Sequence, residues 1–138
     1  MQIVPVPLPD GRAYDVHVGS GVREALAEIV GRVVPKAKRA AVVTQQAIVD
    51  ANAAVADVDP GMEHRTFLVG QGEAEKNLAT IERLCRSWAE WGMTRNDVVV
   101  AVGGGMVTDI GGFAASCYHR GISVIYVSTT LLGMIDAA

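Results

Sequence analysis

The stretch Ala101 to Gly112, AVGGGMVTDIGG, follows RNDVVV (Arg95 to Val100) and leads into FAASCYHRG. Gly103, Gly104 and Gly105 fall where a strand gives way to a helix. Each glycine in a packed element costs roughly 0.5–1 kcal/mol relative to alanine, so the cluster needs a reason. One reason is chemical. Bare backbone N–H groups and a helix amino terminus meet at one point, which suits a phosphate or pyrophosphate. The other is a tight turn with no ligand. The spacing is not G-x-G-x-x-G, which would put glycine at Thr108, and no acidic residue stands where a ribose ligand would follow a next strand.

Other candidate residues stand just after predicted strands. Asp109, one turn into the helix, reads as a complement to the helix dipole, worth about 0.3–1 kcal/mol, or as a ligand contact. Glu73 and Lys76, in GEAEK after Gly72, read as a surface i,i+3 ion pair of about 0.2–0.5 kcal/mol or as a pair facing a bound molecule. Ser128, Thr129 and Thr130 follow the last strand, where Ser128 or Thr129 suits a helix N-cap. His17, His64 and His119 lie in three different contexts without the close helical spacing of metal ligands, so no metal set assembles from them.

The elements that must position these residues follow from hydrophobic period. Ile3 to Leu8 and Tyr14 to Gly19, joined around Pro9-Asp10-Gly11, predict an antiparallel hairpin, with Pro5 and Pro7 holding the first run at a sheet edge. A helical stripe runs through Val22, Leu26, Ile29, Val30 and Val33, with Ser20 as N-cap. Arg39–Thr44 and His64–Gly70 read as buried strands around a short helix near Gln46 to Ala53. Leu78, Ile81, Leu84, Cys85, Trp88 and Trp91 define a helix that stops at Gly92. Strand 97–102, the glycine cluster, a helix, strand 123–127 and a terminal helix complete the order. Alternating strands and helices predict an α/β fold: a Rossmann-like, doubly wound, mostly parallel sheet with an amino-terminal β-hairpin. Ligands in such sheets bind outside the carboxyl ends of the strands.

Bulk properties agree with one globular domain over residues 1–138, with a net charge of −3 and half of the residues hydrophobic. The short basic run Lys36 to Arg39 reads as a solvated edge, which argues against nucleic acid. No membrane span or leader is apparent, and Cys85 and Cys117 read as buried apolar residues of a reducing, cytoplasmic protein. STTLLGMIDAA reads as an unclosed helix, so the chain is expected to be a fragment.

GGGMVTDIGGFAASCYHRG and STTLLGMIDAA, with GQGEAEKNL upstream, resemble the amino-terminal domain of 3-dehydroquinate synthase and its sugar-phosphate-cyclase relatives. That family typically reads G-G-G-x-x-x-D-x-x-G-F, then R-G, then P-T-T-L-L-x-x-x-D. The resemblance is strongest over Gly70 to Ala138. It implies NAD as cofactor, with Gly103, Gly104 and Gly105 at the pyrophosphate and Met106, Val107 and Thr108 as further cofactor contacts. Asp109, Gly72, Glu73 and Lys76 would lie near the ribose, and Thr129 and Thr130 would hydrogen-bond the cofactor. Asp136 and Arg120 would contact a sugar phosphate substrate, suited in Arg120 to the fixed fork of donors.

The implied reaction converts 3-deoxy-D-arabino-heptulosonate 7-phosphate to 3-dehydroquinate and phosphate, in aromatic amino-acid biosynthesis (the shikimate pathway). A divalent metal, zinc or cobalt, would be held by ligands beyond this chain, in a helical carboxy-terminal domain. The resemblance further implies a cytoplasmic homodimer when complete, and a chain that does not turn over by itself. Exposed apolar surface is then expected to make the isolated chain self-associate.

The sequence departs from the pattern at two places. Gln45 and Gln46 stand where an acidic residue often holds the adenosine ribose, leaving Gln45 a weaker cofactor contact, and Ser128 replaces the usual proline. The rival within the class is a cyclase of sedoheptulose 7-phosphate of the valiolone-synthase type. The metal-dependent alcohol and glycerol dehydrogenases share the glycine loop but not FAASCYHRG with TTLLGMID. A non-catalytic nucleotide-binding or interaction module is the rival from another class.

Overall fold

The two central strands of the sheet, 39–45 and 98–103, are apolar on both sides and largely buried, whereas 63–69, expected as a buried strand, lies at an edge and exposes Glu63, His64, Arg65 and Thr66. In a computed structural model, which describes residues 1–135, β3 (Arg39–Gln45), β4 (Glu63–Val69), β5 (Val98–Gly103) and β6 (Ser123–Ser128) form a parallel sheet in the order β4-β3-β5-β6. Alternate residues feed two cores. Ala41, Val43 and Val99 point to one face, where α4 (Leu78–Trp91) and α5 (Gly105–Cys117) bury Leu84, Trp88, Val107, Ile110 and Ala114. Ala40, Val42, Val98, Val100 and Val102 point to the other, where α1 (Leu26–Val33) supplies Leu26 and Val30. Coverage of both faces is why β5 carries no alternation and is buried throughout.

The hairpin forms as expected, β1 (Gln2–Pro7) pairing antiparallel with β2 (Ala13–Val18). It is a separate two-stranded sheet. Ile3, Val4, Tyr14, Val16 and Val18 on it are exposed, as are Leu131, Leu132, Met134 and Ile135 on α6 (Leu131–Ile135).

Several local expectations need correction. Ser20 caps nothing: the first helix opens with a 3-10 turn at Arg23–Ala25, and neither it nor α1 has a side-chain cap bond. Val33 is exposed, and Val34, just past the helix, takes the buried place. The short helix between β3 and β4 is split into α2 (Gln46–Ala51) and α3 (Ala53–Ala56), because Asn52 is extended at φ −160°. Cys117 is exposed and only Cys85 is partly covered. Leu78 is also exposed, since it begins α4 beyond the packed stripe.

The cap of α4 is Asn77, whose side chain accepts from the Thr80 amide at 2.9 Å, an arrangement worth about 1 kcal/mol. Gly92 ends the helix in the left-handed conformation, φ 83°. Among the described residues, no helix is long and apolar enough to cross a membrane.

Candidate functional site

From β3 the sheet runs to β4 on one side and to β5 and β6 on the other, so the winding reverses between β3 and β5. The carboxyl ends at that switch point carry Gln45 and Gly103, and a crevice there is where such sheets take ligands. The glycines beyond β5 do not share one task. Gly103 packs: a Cβ on it would lie 2.6 Å from Val107 Cβ. Gly104 is the N-cap residue of α5 and adopts ordinary extended angles, φ −82° and ψ −174°. A Cβ there would stand 3.0 Å from Thr130 Cγ2 and 3.2 Å from Thr130 Oγ1, so the missing side chain lets Thr130 come close beside the helix start. The first-turn amides of α5, Gly105 and Met106, have no intrahelical acceptor because of where they stand in the helix. Val107 and Thr108 donate their amides to the Gly104 carbonyl at 3.0 and 3.1 Å, and the Thr108 hydroxyl donates to Gly105 O at 3.0 Å.

The charged residues singled out from the sequence converge. Lys76 Nζ lies 2.8 Å from Asp109 Oδ2 and 3.1 Å from Glu73 Oε2. The i,i+3 pair is therefore real, and it reaches across to a third residue one turn into α5. Hydrogen bonding to Asp109, and then to Glu73, raises the Lys76 pKa and holds the ammonium charged. All three side chains keep a third or more of their surface exposed, so the cluster is open to a ligand.

Two neighbours that sequence reasoning missed shape this cluster. Glu75 accepts from the Gly70 amide at 2.9 Å and from Thr80 Oγ1 at 3.4 Å, pinning the loop that carries Gly72, Glu73 and Lys76. Its signal was available only in hindsight, as an acid five residues after a strand-ending glycine. Tyr126 on β6 lays its hydroxyl against Gly112 on α5, where any Cβ would collide with it. Burial, and then the charge of Asp109, pushes the Tyr126 phenol up. Gly111 is the glycine that meets the sheet, a Cβ there lying 2.8 Å from Ala101 Cβ.

Thr129 and Thr130 stand at the same edge. The Thr129 amide donates to Gly103 O at 3.0 Å, tying the ends of β5 and β6 together. Thr130 Oγ1 accepts from the Gly133 amide at 3.1 Å, so the cap of α6 is Thr130 and not Ser128 or Thr129. Gln45 Nε2 donates to Gly70 O at 2.9 Å, linking the ends of β3 and β4 at the crevice. Gln46 turns away to Asp50.

Arg120 is not with them. α5 has 13 residues, and at 1.5 Å per residue it carries the chain about 20 Å to the opposite edge of the sheet. There Arg120 follows Tyr118, whose hydroxyl donates to Met93 O at 2.8 Å. His119 and Arg120 both take positive φ, 47° and 66°. Asp136 lies outside the described residues. Among the described residues, no group of three or more His, Cys, Asp or Glu is able to hold a metal ion.

A parallel sheet wound both ways from its centre, with a glycine turn opening a helix at the switch point, places the molecule in the Rossmann-like α/β class. Within that class the chain belongs to the 3-dehydroquinate synthase N-terminal family, whose model matches residues 66–138. It is 46% identical over 137 residues to a chain of Amycolatopsis mediterranei (strain S699) assigned as an aminodehydroquinate synthase, covering 98% of this chain and 36% of that one. It is 35% identical over 139 residues to the 3-dehydroquinate synthase of Rhodopseudomonas palustris (strain ATCC BAA-98 / CGA009), with the same coverage. Among solved structures, it matches 2-epi-5-epi-valiolone synthase from Streptomyces hygroscopicus subsp. jinggangensis 5008, which has NAD+ and Zn2+ bound. That match has a TM-score of 0.69 and 27% identity and covers 96% of this chain and 37% of that one. The chain thus spans about a third of the length of the relatives it matches.

Proposed function

We propose that this chain is the NAD-binding part of a sugar-phosphate cyclase of the 3-dehydroquinate synthase type. The observation that carries the reading is the meeting of Lys76 with both Glu73 and Asp109 one turn into α5, beside the glycine turn. Two features of the site fit the cofactor. Thr130 stands close beside Gly104 at the glycine turn, and the Ser128 hydroxyl is buried without a partner among the described residues. When bound, NAD supplies transient oxidation and re-reduction of a ring alcohol.

The chain's own residues bind and orient. The backbone from Gly103 to Thr108 receives the pyrophosphate at the positive end of α5. Glu73 and Asp109 accept ribose hydroxyls, and Lys76, already charged and doubly anchored, fixes their orientation. Gly72 gives that loop its turn at φ 81°. Thr129 and Thr130 close the far side, and Gln45 makes a weaker, neutral contact. Asp136 is proposed to reach the substrate. The described residues do not fit the divalent metal, so no step is derived through one. Arg120, on the opposite edge, serves a substrate phosphate only from a second copy of the chain, which agrees with a homodimer of the complete protein. By itself the chain binds cofactor without turnover.

The experiment is calorimetric titration of the chain with NAD, repeated with Lys76→Met. Saturable binding that weakens about tenfold in the variant, with a nearly unchanged melting temperature, is expected, because exposed ion pairs contribute little to folding. Absence of binding by the unaltered chain overturns the reading in favour of a non-catalytic module.

A second reading concerns the substrate. Identity is higher to the Amycolatopsis chain than to the Rhodopseudomonas enzyme, 46% against 35%, which favours an amino-bearing substrate over the ordinary heptulosonate phosphate. Valiolone-type cyclisation of sedoheptulose 7-phosphate is the third option. Product analysis of the complete protein with each sugar phosphate separates the three.

A further inference from the structure

Ser128 ends β6, paired in register with Gly103, the last residue of β5. Along β6 the side chains of Val124, Tyr126 and Ser128 share a face by the period of two. Tyr126 meets Gly112 on α5, so that face is the α5 side, and it brings Ser128 to the amino-terminal end of α5. The Ser128 Oγ is buried there and has no hydrogen-bond partner among the described residues. A buried hydroxyl without a partner is costly, so one that persists calls for something that the polypeptide does not supply.

The surroundings say what that is. The point that a Cβ on Gly133 would occupy lies 3.1 Å from Thr130 Oγ1, 3.5 Å from Ser128 Oγ and 3.6 Å from the Gly105 amide nitrogen. Two hydroxyls and a first-turn amide of α5 therefore border the one space that Gly133 leaves by having no side chain. Thr130 Oγ1 already accepts from the Gly133 amide, which leaves its proton to donate. The Gly105 amide has no intrahelical acceptor. Three donors converging on one point form an environment for an anionic oxygen.

We infer that the Ser128 hydroxyl is a further ligand of the NAD pyrophosphate, donating to a phosphate oxygen together with the Gly105 amide and Thr130. The inference rests on the cofactor reading above. Ser128 thereby joins β6 to the binding of a group otherwise held by the turn after β5. Gly133 is kept small because a methyl group would fill the space that the oxygen needs.

The test is NAD titration of the full chain by calorimetry, with thermal melting in the absence of NAD. Ser128→Ala is expected to weaken binding about tenfold, as loss of one hydrogen bond to a charged group should. Ser128→Thr, which keeps the hydroxyl, is expected to stay within about twofold of the unaltered chain. Gly133→Ala, which fills the space and leaves Ser128 in place, is expected to weaken binding as well and serves if Ser128→Ala fails to fold.

Unchanged affinity in both Ser128→Ala and Gly133→Ala overturns the inference while leaving NAD binding intact. So does a Ser128→Ala chain that melts well below the original yet binds NAD equally, because the hydroxyl would then serve the fold through an internal water. Equal weakening in Ser128→Thr and Ser128→Ala assigns the effect to shape and also overturns it. Failure of the unaltered chain to bind NAD removes the cofactor reading itself, and this inference with it.

Discussion

Gly104→Val is expected to remove measurable NAD binding, a loss of at least a hundredfold, while the chain still folds. The two halves of that expectation have separate causes. Gly104 holds φ −82° and ψ −174°, angles that any L residue adopts, so valine meets no backbone strain. Its Cβ falls 3.0 Å from Thr130 Cγ2 and 3.2 Å from Thr130 Oγ1, which are side-chain atoms that must give by a few tenths of an ångström. That crowding costs about 1–2 kcal/mol of stability.

The same branched side chain stands where a pyrophosphate would approach the α5 amides, and a hundredfold in affinity corresponds to only about 2.8 kcal/mol. Gly111→Val separates the two effects. Its Cβ would press on Ala101 Cβ, 2.8 Å away in the sheet, so it should unfold the chain rather than block a ligand. The measurements are NAD titration and thermal melting of both variants. A folded Gly104→Val chain that binds NAD normally would show that the glycine triplet is a tight turn and nothing more.

That separation among glycines marks the limit of what the sequence discloses. The parallel sheet was legible because VVVAV has apolar residues on both sides of its period, and only coverage of both faces accounts for that. α4 was legible from Ile81, Leu84, Trp88 and Trp91, all of which are buried. What each of Gly103, Gly104, Gly111 and Gly112 makes room for is set by Val107, Thr130, Ala101 and Tyr126 in turn, three of them distant in sequence.

The same holds for charge. Glu73 and Lys76 announce their own pairing by spacing, but Asp109, 33 residues beyond Lys76, joins them only because α4 packs against α5 and brings its leading loop alongside. Ser20 failed as a cap because a 3-10 turn precedes α1, so no N-cap stands where the stripe implied. Arg120 shows another limit of local reading. The resemblance gives it a substrate phosphate, and the direction of α5 sets it at the other edge of the sheet from the glycine turn, a consequence of topology that no local pattern contains.

The largest effect on stability is expected at a residue with no part in the site. Asp97 is buried and precedes β5. Its Oδ1 accepts from the amides of Lys38 and Arg39, each at 3.0 Å, and its Oδ2 accepts from the amide of Thr94 at 2.6 Å and the Thr94 hydroxyl at 3.1 Å. One carboxylate thus ties the start of β3 to the turn before β5, and Asp97→Ala would strand three backbone donors. The expected cost is about 3–4 kcal/mol, or a fall in melting temperature of roughly 12 °C for a domain of this size. Asp97→Asn, which can keep the Lys38 and Arg39 bonds but offers N–H groups to Thr94, should cost about half as much.

The pH dependence has a definite sign. Burial acts to raise the Asp97 pKa, but the bonds from Thr94, Lys38 and Arg39 outweigh it and hold the carboxyl below its ordinary value of 3.8. A group depressed in the folded state adds stability that is fully present above the unfolded value and is lost as pH falls through the folded one. Chemical denaturation of the unaltered chain should therefore show stability falling as pH drops below about 4, and this component should be absent in Asp97→Asn. A loss below about 1 kcal/mol in Asp97→Ala, or parallel acid limbs in the two chains, would mean that solvent replaces the carboxylate and that the junction of β3 and β5 holds by apolar packing alone.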